Sequence, residues 1–230
     1  LNSGIVTNWS KAPPSLPWVT IVITVACLLA RLMYAFISPL EQQAMIEIAG
    51  AAPADTAAML RQPPGAWFDA GLMAIFSALF VHSSWPHLVG NLAYLWVFGI
   101  PVERSRGAMF FALLFLVGGA LAHIIVALRL PELESVIIGA SGAVSAVVGA
   151  YLGLFPARRI GLYLPLGLYL QFARVPALLV IGSWFTLQLV YSVIGPITGA
   201  VAWWTHLAGF VLGLMFALLA RAMALLNIRG

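Results

Sequence analysis

Six apolar segments, none of them containing an acidic side chain, constrain this chain more than any other feature. They run over roughly 17–37, 85–100, 107–128, 136–155, 176–195 and 201–226. At about 1.5 Å of rise per residue, helices of this length match the hydrocarbon core of a bilayer. The 230 residues are 63% hydrophobic and only 8% charged, whereas a soluble domain covers itself with about a quarter charged residues. The expected fold is an all-α membrane protein, a bundle of six transmembrane helices. The second segment is the shortest. Ser83 and Ser84 are its candidate caps, Pro86 suits its first turn, and Pro101 is expected to stop it after Ile100.

Basic residues set the expected orientation. With the N-terminus inside, the inner side carries Lys11, Arg104, Arg106, Arg158, Arg159, Arg174, Arg221 and Arg229, and the outer side only Arg61 and Arg129. That bias follows the positive-inside rule and predicts both termini in the cytoplasm. The division is then a cytoplasmic segment 1–16, a membrane domain 17–226 with a long outer first loop 38–84, and a tail 227–230. Within that loop the apolar stretch Leu72–Val81 is read as dipping into the protein. The stretch Pro156–Val175 is too apolar for an ordinary loop and is placed partly in the inner interface. Arg31, near the outer end of the first span, is expected to snorkel. Residues 1–16 show no signal-peptide pattern. The basic residues behind the net charge of +4 sit singly or in short groups, without a basic cluster interleaved with aromatics, which argues against a nucleic-acid partner. The single cysteine, Cys27, excludes an intrachain disulfide.

Polar groups in lipid need a partner or a task. His87 and Asn91 are four apart and share one face of the second helix. Ser141 lies near the start of the fourth segment, in Gly139-Ala140-Ser141-Gly142, and His206 near the start of the sixth. With alternating helix directions, all four fall at one depth on the outer side. Gly142, Ala146, Gly149 and Gly153 on the fourth helix, and Gly209 and Gly213 on the sixth, let two backbones approach closely. Such packing brings the Ser141 hydroxyl within reach of the His206 imidazole, as nucleophile and base. No span supplies a carboxylate, so the pair is a dyad, and His206 needs orientation from packing or a neutral hydrogen bond. The Ser141 amide, His87 and Asn91 are the candidate oxyanion donors. His82 is read as organising the first loop, and His123 as structural. Three histidines without acidic or cysteine co-ligands in the spans do not make a metal site, and no cofactor is expected.

These residues resemble the rhomboid protease family. The likeness rests on His82-x4-His87-x3-Asn91, Gly139-Ala140-Ser141-Gly142, and His206-Leu207-Ala208-Gly209 followed by Gly213. It extends through Phe98-Gly99, Glu103, Phe155-Pro156 and Trp184 to Gln188, over roughly residues 75–220. The resemblance implies an intramembrane serine endopeptidase that cleaves single-pass membrane proteins near the outer end of their helix. It implies a Ser141/His206 dyad, supporting roles for His82, Gly139, Gly142 and Gly209, and a gate on the fifth helix with Trp184 and Phe185 as candidates. The implied location is a cell membrane, that of a bacterial cytoplasm in particular, with the active site near the outer face. Two positions depart from the pattern. Met73-Ala74 stands where the family often has Trp-Arg in the first loop, and Ser145 where some members stack a tyrosine on the base. The competing readings are a non-catalytic rhomboid-like protein that binds membrane clients and a small transporter. The second would need polar groups along a whole path and repeated halves, and neither is seen.

Overall fold

A computed structural model describes residues 15–69, 71–166, 169–194 and 200–227. Helix α1 covers Trp18–Phe36. Its first turn is held by a carboxylate from elsewhere in the chain. Glu103 accepts from the Val19 and Thr20 amides at 2.8 and 2.9 Å and from the Thr20 hydroxyl at 2.7 Å. These are the amides a helix start leaves unpaired, and the carboxylate also meets the positive end of the helix dipole. Replacing Glu103 with Ala is expected to leave the amides buried without an acceptor. The unfolding midpoint should fall by the equivalent of about 1–3 kcal/mol, as read by thermal denaturation in detergent.

The outer first loop is built of short helices, α2 (Pro39–Ala49), α3 (Pro53–Leu60) and α4 (Leu72–Ser77), with a single 3-10 turn at Pro64–Ala66. Ser38 and Glu41 form a reciprocal capping box at the start of α2. Ile75, Ala78, Leu79 and Val81 are buried, so the apolar stretch does dip into the protein. Helix α5 (Trp85–Tyr94) begins separately, capped by Ser84.

Pro101 does not end this segment. A π turn at Leu95–Gly99 leads into α6 (Ile100–Arg106), and the helical path continues past the proline. Within a regular α-helix the proline ring would meet the carbonyl four residues back, that of Val97. The widened turn moves that carbonyl aside.

Helix α7 spans Ala108–Arg129 and α8 spans Ser141–Leu154. The fourth segment was expected to be helical from about 136, but its first residues are extended. Ile137 pairs with Ala51, and the Gly139 amide donates to the Ala78 carbonyl at 2.8 Å. Gly139 has φ +107°, which closes that corner and delays the helix to Ser141. A second difference lies between α8 and α9. The stretch assigned to an interfacial loop is an antiparallel hairpin, β1 (Arg159–Leu166) with β2 (Tyr169–Pro176), in register from Arg159↔Pro176 to Leu166↔Tyr169. The alternation Ile160, Leu162, Leu164, Leu166 carries that period of two, and a two-stranded ribbon has only edges, where Pro165 is tolerated.

Helices α9 (Ala177–Ile194) and α10 (Ala200–Asn227) complete the described chain. Among the described residues, four helices are long and apolar enough to cross a membrane: α1, α7, α9 and the 202–224 portion of α10. Helix α8 is the centre of the bundle, with nearly every side chain buried. It lies against α10 backbone to backbone, because a Cβ at Gly149 would strike the Phe210 carbonyl, and one at Gly209 the Gly142 carbonyl. Arg31 packs against protein. It is buried, with its guanidinium 4.8 Å from the Trp85 ring and 5.5 Å from that of Tyr34.

Candidate active site

Helices α5, α8, α9 and α10 border an open cavity of about 260 Å³ lined by Pro86, His87, Gly90, Asn91, Tyr94, Ser141, Val144, Ser145, Val148, Trp184 and His206. The four polar residues singled out from the sequence therefore face one space. Ser141 stands at the first position of α8, not a turn inside it. Its amide belongs to the first turn, where N–H groups have no intrahelical acceptor and the dipole favours negative charge. His206 approaches from α10, one turn before Gly209. Among the described residues Ser141 and His206 share this wall without a direct hydrogen bond between them. The small-residue seam sets their separation. A Cβ at Gly142 would come within 2.7 Å of the Thr205 side chain, the residue next to His206.

The His206 ring is held on its far side. Its Nδ1 lies 2.8 Å from Oε1 of Gln188 on α9. The Trp184 ring lies 6.2 Å away on one side and the Trp203 ring 6.3 Å on another. Gln188 appeared in the sequence reading only as the end of a family-like stretch. The available signal was a lone side-chain amide in a span whose other polar groups are hydroxyls, and an amide in lipid calls for a partner.

Helix α5 brings His87 and Asn91 to the cavity, and the first loop anchors them through His82. The His82 Nδ1–H donates to the Phe80 carbonyl at 3.1 Å, which leaves Nε2 as an acceptor. That nitrogen receives the Ala140 amide and the Asn91 amide group, each at 3.3 Å. The loop, α5 and the start of α8 thus meet at one buried imidazole. Asn91 is more constrained than its helix position alone suggests. Its amide nitrogen also donates to the His87 carbonyl at 3.0 Å, so both of its protons are engaged. Gly139 has a second role beside its backbone angle, since a Cβ there would meet the His87 ring at 2.5 Å. Of the gate candidates, Trp184 lines the cavity and spans from Tyr94 on α5, 6.5 Å away, to α10. Phe185 instead packs on Phe210, ring centres 4.6 Å apart. Ser145 donates its hydroxyl to the Ser141 carbonyl at 2.7 Å and makes no stack on His206.

Burial pushes His82 down from 6.5 to about 4; the Phe80 carbonyl opposes the shift and the nearby His87 adds to it. The folded loop therefore refuses a proton that the unfolded loop binds. The contribution of His82 is complete above pH 6.5 and is lost as pH falls from there toward about 4. Hydrogen exchange of the Ala140 amide should accelerate over that window, beyond the intrinsic pH trend. His82→Gln should remove the pH dependence.

A sequence profile of the rhomboid domain matches residues 69–223, more than half of the chain. The chain belongs to the rhomboid family. The match takes in every residue that lines the cavity. A relative named rhomboid-like protein 11, chloroplastic, from Arabidopsis thaliana, is 38% identical over 79 residues, covering 34% of this chain. That alignment spans only 26% of the relative's own length. This rhomboid, with several apolar helices in a mostly helical bundle, is a multi-pass membrane protein.

Proposed function

We propose that this rhomboid is an intramembrane serine endopeptidase acting on single-pass membrane proteins, with Ser141 as nucleophile and His206 as base. The observation that carries the reading is the shared cavity: a helix-start serine and an imidazole from an adjoining helix line the same open pocket. In this reading His206 takes the Ser141 proton as the hydroxyl attacks the scissile carbonyl, and returns it to the leaving amine. The oxyanion forms beside the Ser141 amide, with His87 as a side-chain donor. Asn91 joins by turning one proton from His82 to the oxyanion. The exchange is inexpensive, because His82 Nε2 keeps the Ala140 amide. Trp184, between α5 and α10, is the residue a substrate helix would displace on entering from the lipid, while Phe185 supports α9 on α10.

The remaining spans complete the proposal. The path α5–α6 and the short α8 cross with the four longer helices, giving six spans and both termini in the cytoplasm by the basic-residue bias. Cleavage then falls near the outer face of a cell membrane. The test is covalent labelling of the purified protein with a fluorophosphonate, followed by peptide mapping. An adduct on Ser141 that His206→Ala abolishes is the expected result. An adduct that persists at the same rate in His206→Ala, or none on Ser141, rejects the dyad. Absence of any cleavage of single-pass substrates would favour the client-binding alternative.

A further inference from the structure

We propose that Gln188 is a positioning residue that fixes the tautomer of His206, so that Nε2 carries the lone pair facing Ser141. The proposal rests on the protease reading above and adds a component the dyad lacks. An amide oxygen only accepts, so a 2.8 Å contact between Gln188 Oε1 and His206 Nδ1 requires the proton to be on Nδ1. In a neutral ring the other nitrogen is then the base. With a Ser145 hydroxyl turned to the Ser141 carbonyl and not stacked on the ring, orientation falls to this bond and to the flanking tryptophans.

The placement of Gln188 argues for a task. The residues around it, Leu187, Leu189 and Val190, are exposed on the outside of α9, while Gln188 alone turns inward and is buried. In an apolar helix, a single inward amide whose acceptor meets an imidazole is a neutral counterpart of the carboxylate that orients histidine in triads. The polar and aromatic groups that line the cavity with His206 are His87, Asn91 and Tyr94 on α5, Ser141 and Ser145 on α8, and Trp184 on α9. None is a carboxylate, and among the described residues the hydrogen-bond partner of His206 Nδ1 is Gln188.

The experiment compares the wild type with Gln188→Leu and Gln188→Glu in detergent. One readout is the pH profile of fluorophosphonate labelling. The other is the imidazole nitrogen shifts of His206 in protein carrying ¹⁵N-histidine, assigned against His206→Asn. In the wild type the shifts should report Nδ1–H. Gln188→Leu should lose that preference and label about 10–100-fold more slowly, with a thermal midpoint near that of the wild type. Gln188→Glu keeps an acceptor and adds charge, so it should label within several-fold of the wild type, with the acid limb of its profile moved to higher pH. An Nε2–H tautomer in the wild type overturns the proposal. So does a Gln188→Leu protein that labels at the wild-type rate with an unchanged profile, or one whose loss follows its unfolding midpoint. If the wild type does not label at all, the protease reading fails, and the nitrogen shifts still decide the role of Gln188.

Discussion

Ser141→Ala and His206→Ala are each expected to reduce cleavage of a single-pass substrate in proteoliposomes by about 10⁴-fold or more, and the double variant to be no slower than either single one. The reason lies in how the two groups act. A serine hydroxyl is a poor nucleophile without a base to take its proton, and the imidazole has no other proton to accept in the step. Removing either therefore removes the same contribution. The cavity wall would still offer the Ser141 amide and the His87 ring to a developing oxyanion, so the double variant should retain the slow background those donors support. Losses that add when the two substitutions are combined would mean that Ser141 and His206 act separately. That outcome would end the dyad assignment, whatever the cleavage rate of the wild type.

Several parts of this arrangement are visible in the chain before any coordinates, and the reason is that they are local or periodic. Long apolar runs identify spans, four-residue spacing puts His87 and Asn91 on one face, and glycines at Gly209 and Gly213 mark a close-packed helix. The features that escape are set by contacts between distant residues. The carboxylate of Glu103 caps a helix through Val19, 84 positions before it. Ser141 is the first residue of its helix where Ile137 pairs with Ala51 in the outer loop and Gly139 turns the corner against Ala78. The π turn that carries the chain past Pro101 includes Leu95 and Phe98, both buried, and a propensity rule reads the proline as a stop. The β-hairpin does carry a period-two signal. It was obscured because leucines at every second position also suit an interfacial segment. For the site itself, residue types at one depth indicated who could meet. They could not indicate that His82 ties up an Asn91 proton or that a glutamine holds His206 from behind.

Gly213→Ala is expected to be the most damaging alanine substitution among the described glycines. The Cβ it introduces would lie against the Ala146 carbonyl and main chain of α8. Backbone cannot rotate away as a side-chain tip can, so α8 and α10 must separate. Overpacking a core usually costs about 1–3 kcal/mol, and a backbone collision belongs at or beyond the top of that range. Separation also forfeits contacts along the rest of the seam, where Gly149 faces the Phe210 carbonyl and Gly153 faces Ala217. In lipid, where apolar burial gives helices little reason to associate, close backbone approach is much of what holds them together. The chemistry should fail with the packing, because Ser141 is on one of these helices and His206 on the other. Gly182→Ala supplies the control, since nothing lies within 4 Å of a Cβ there. It should melt within about 0.5 kcal/mol of the wild type and label at the normal rate. If Gly213→Ala matches that control in both midpoint and labelling, the two helices are not held at the distance that delivers the imidazole to the serine.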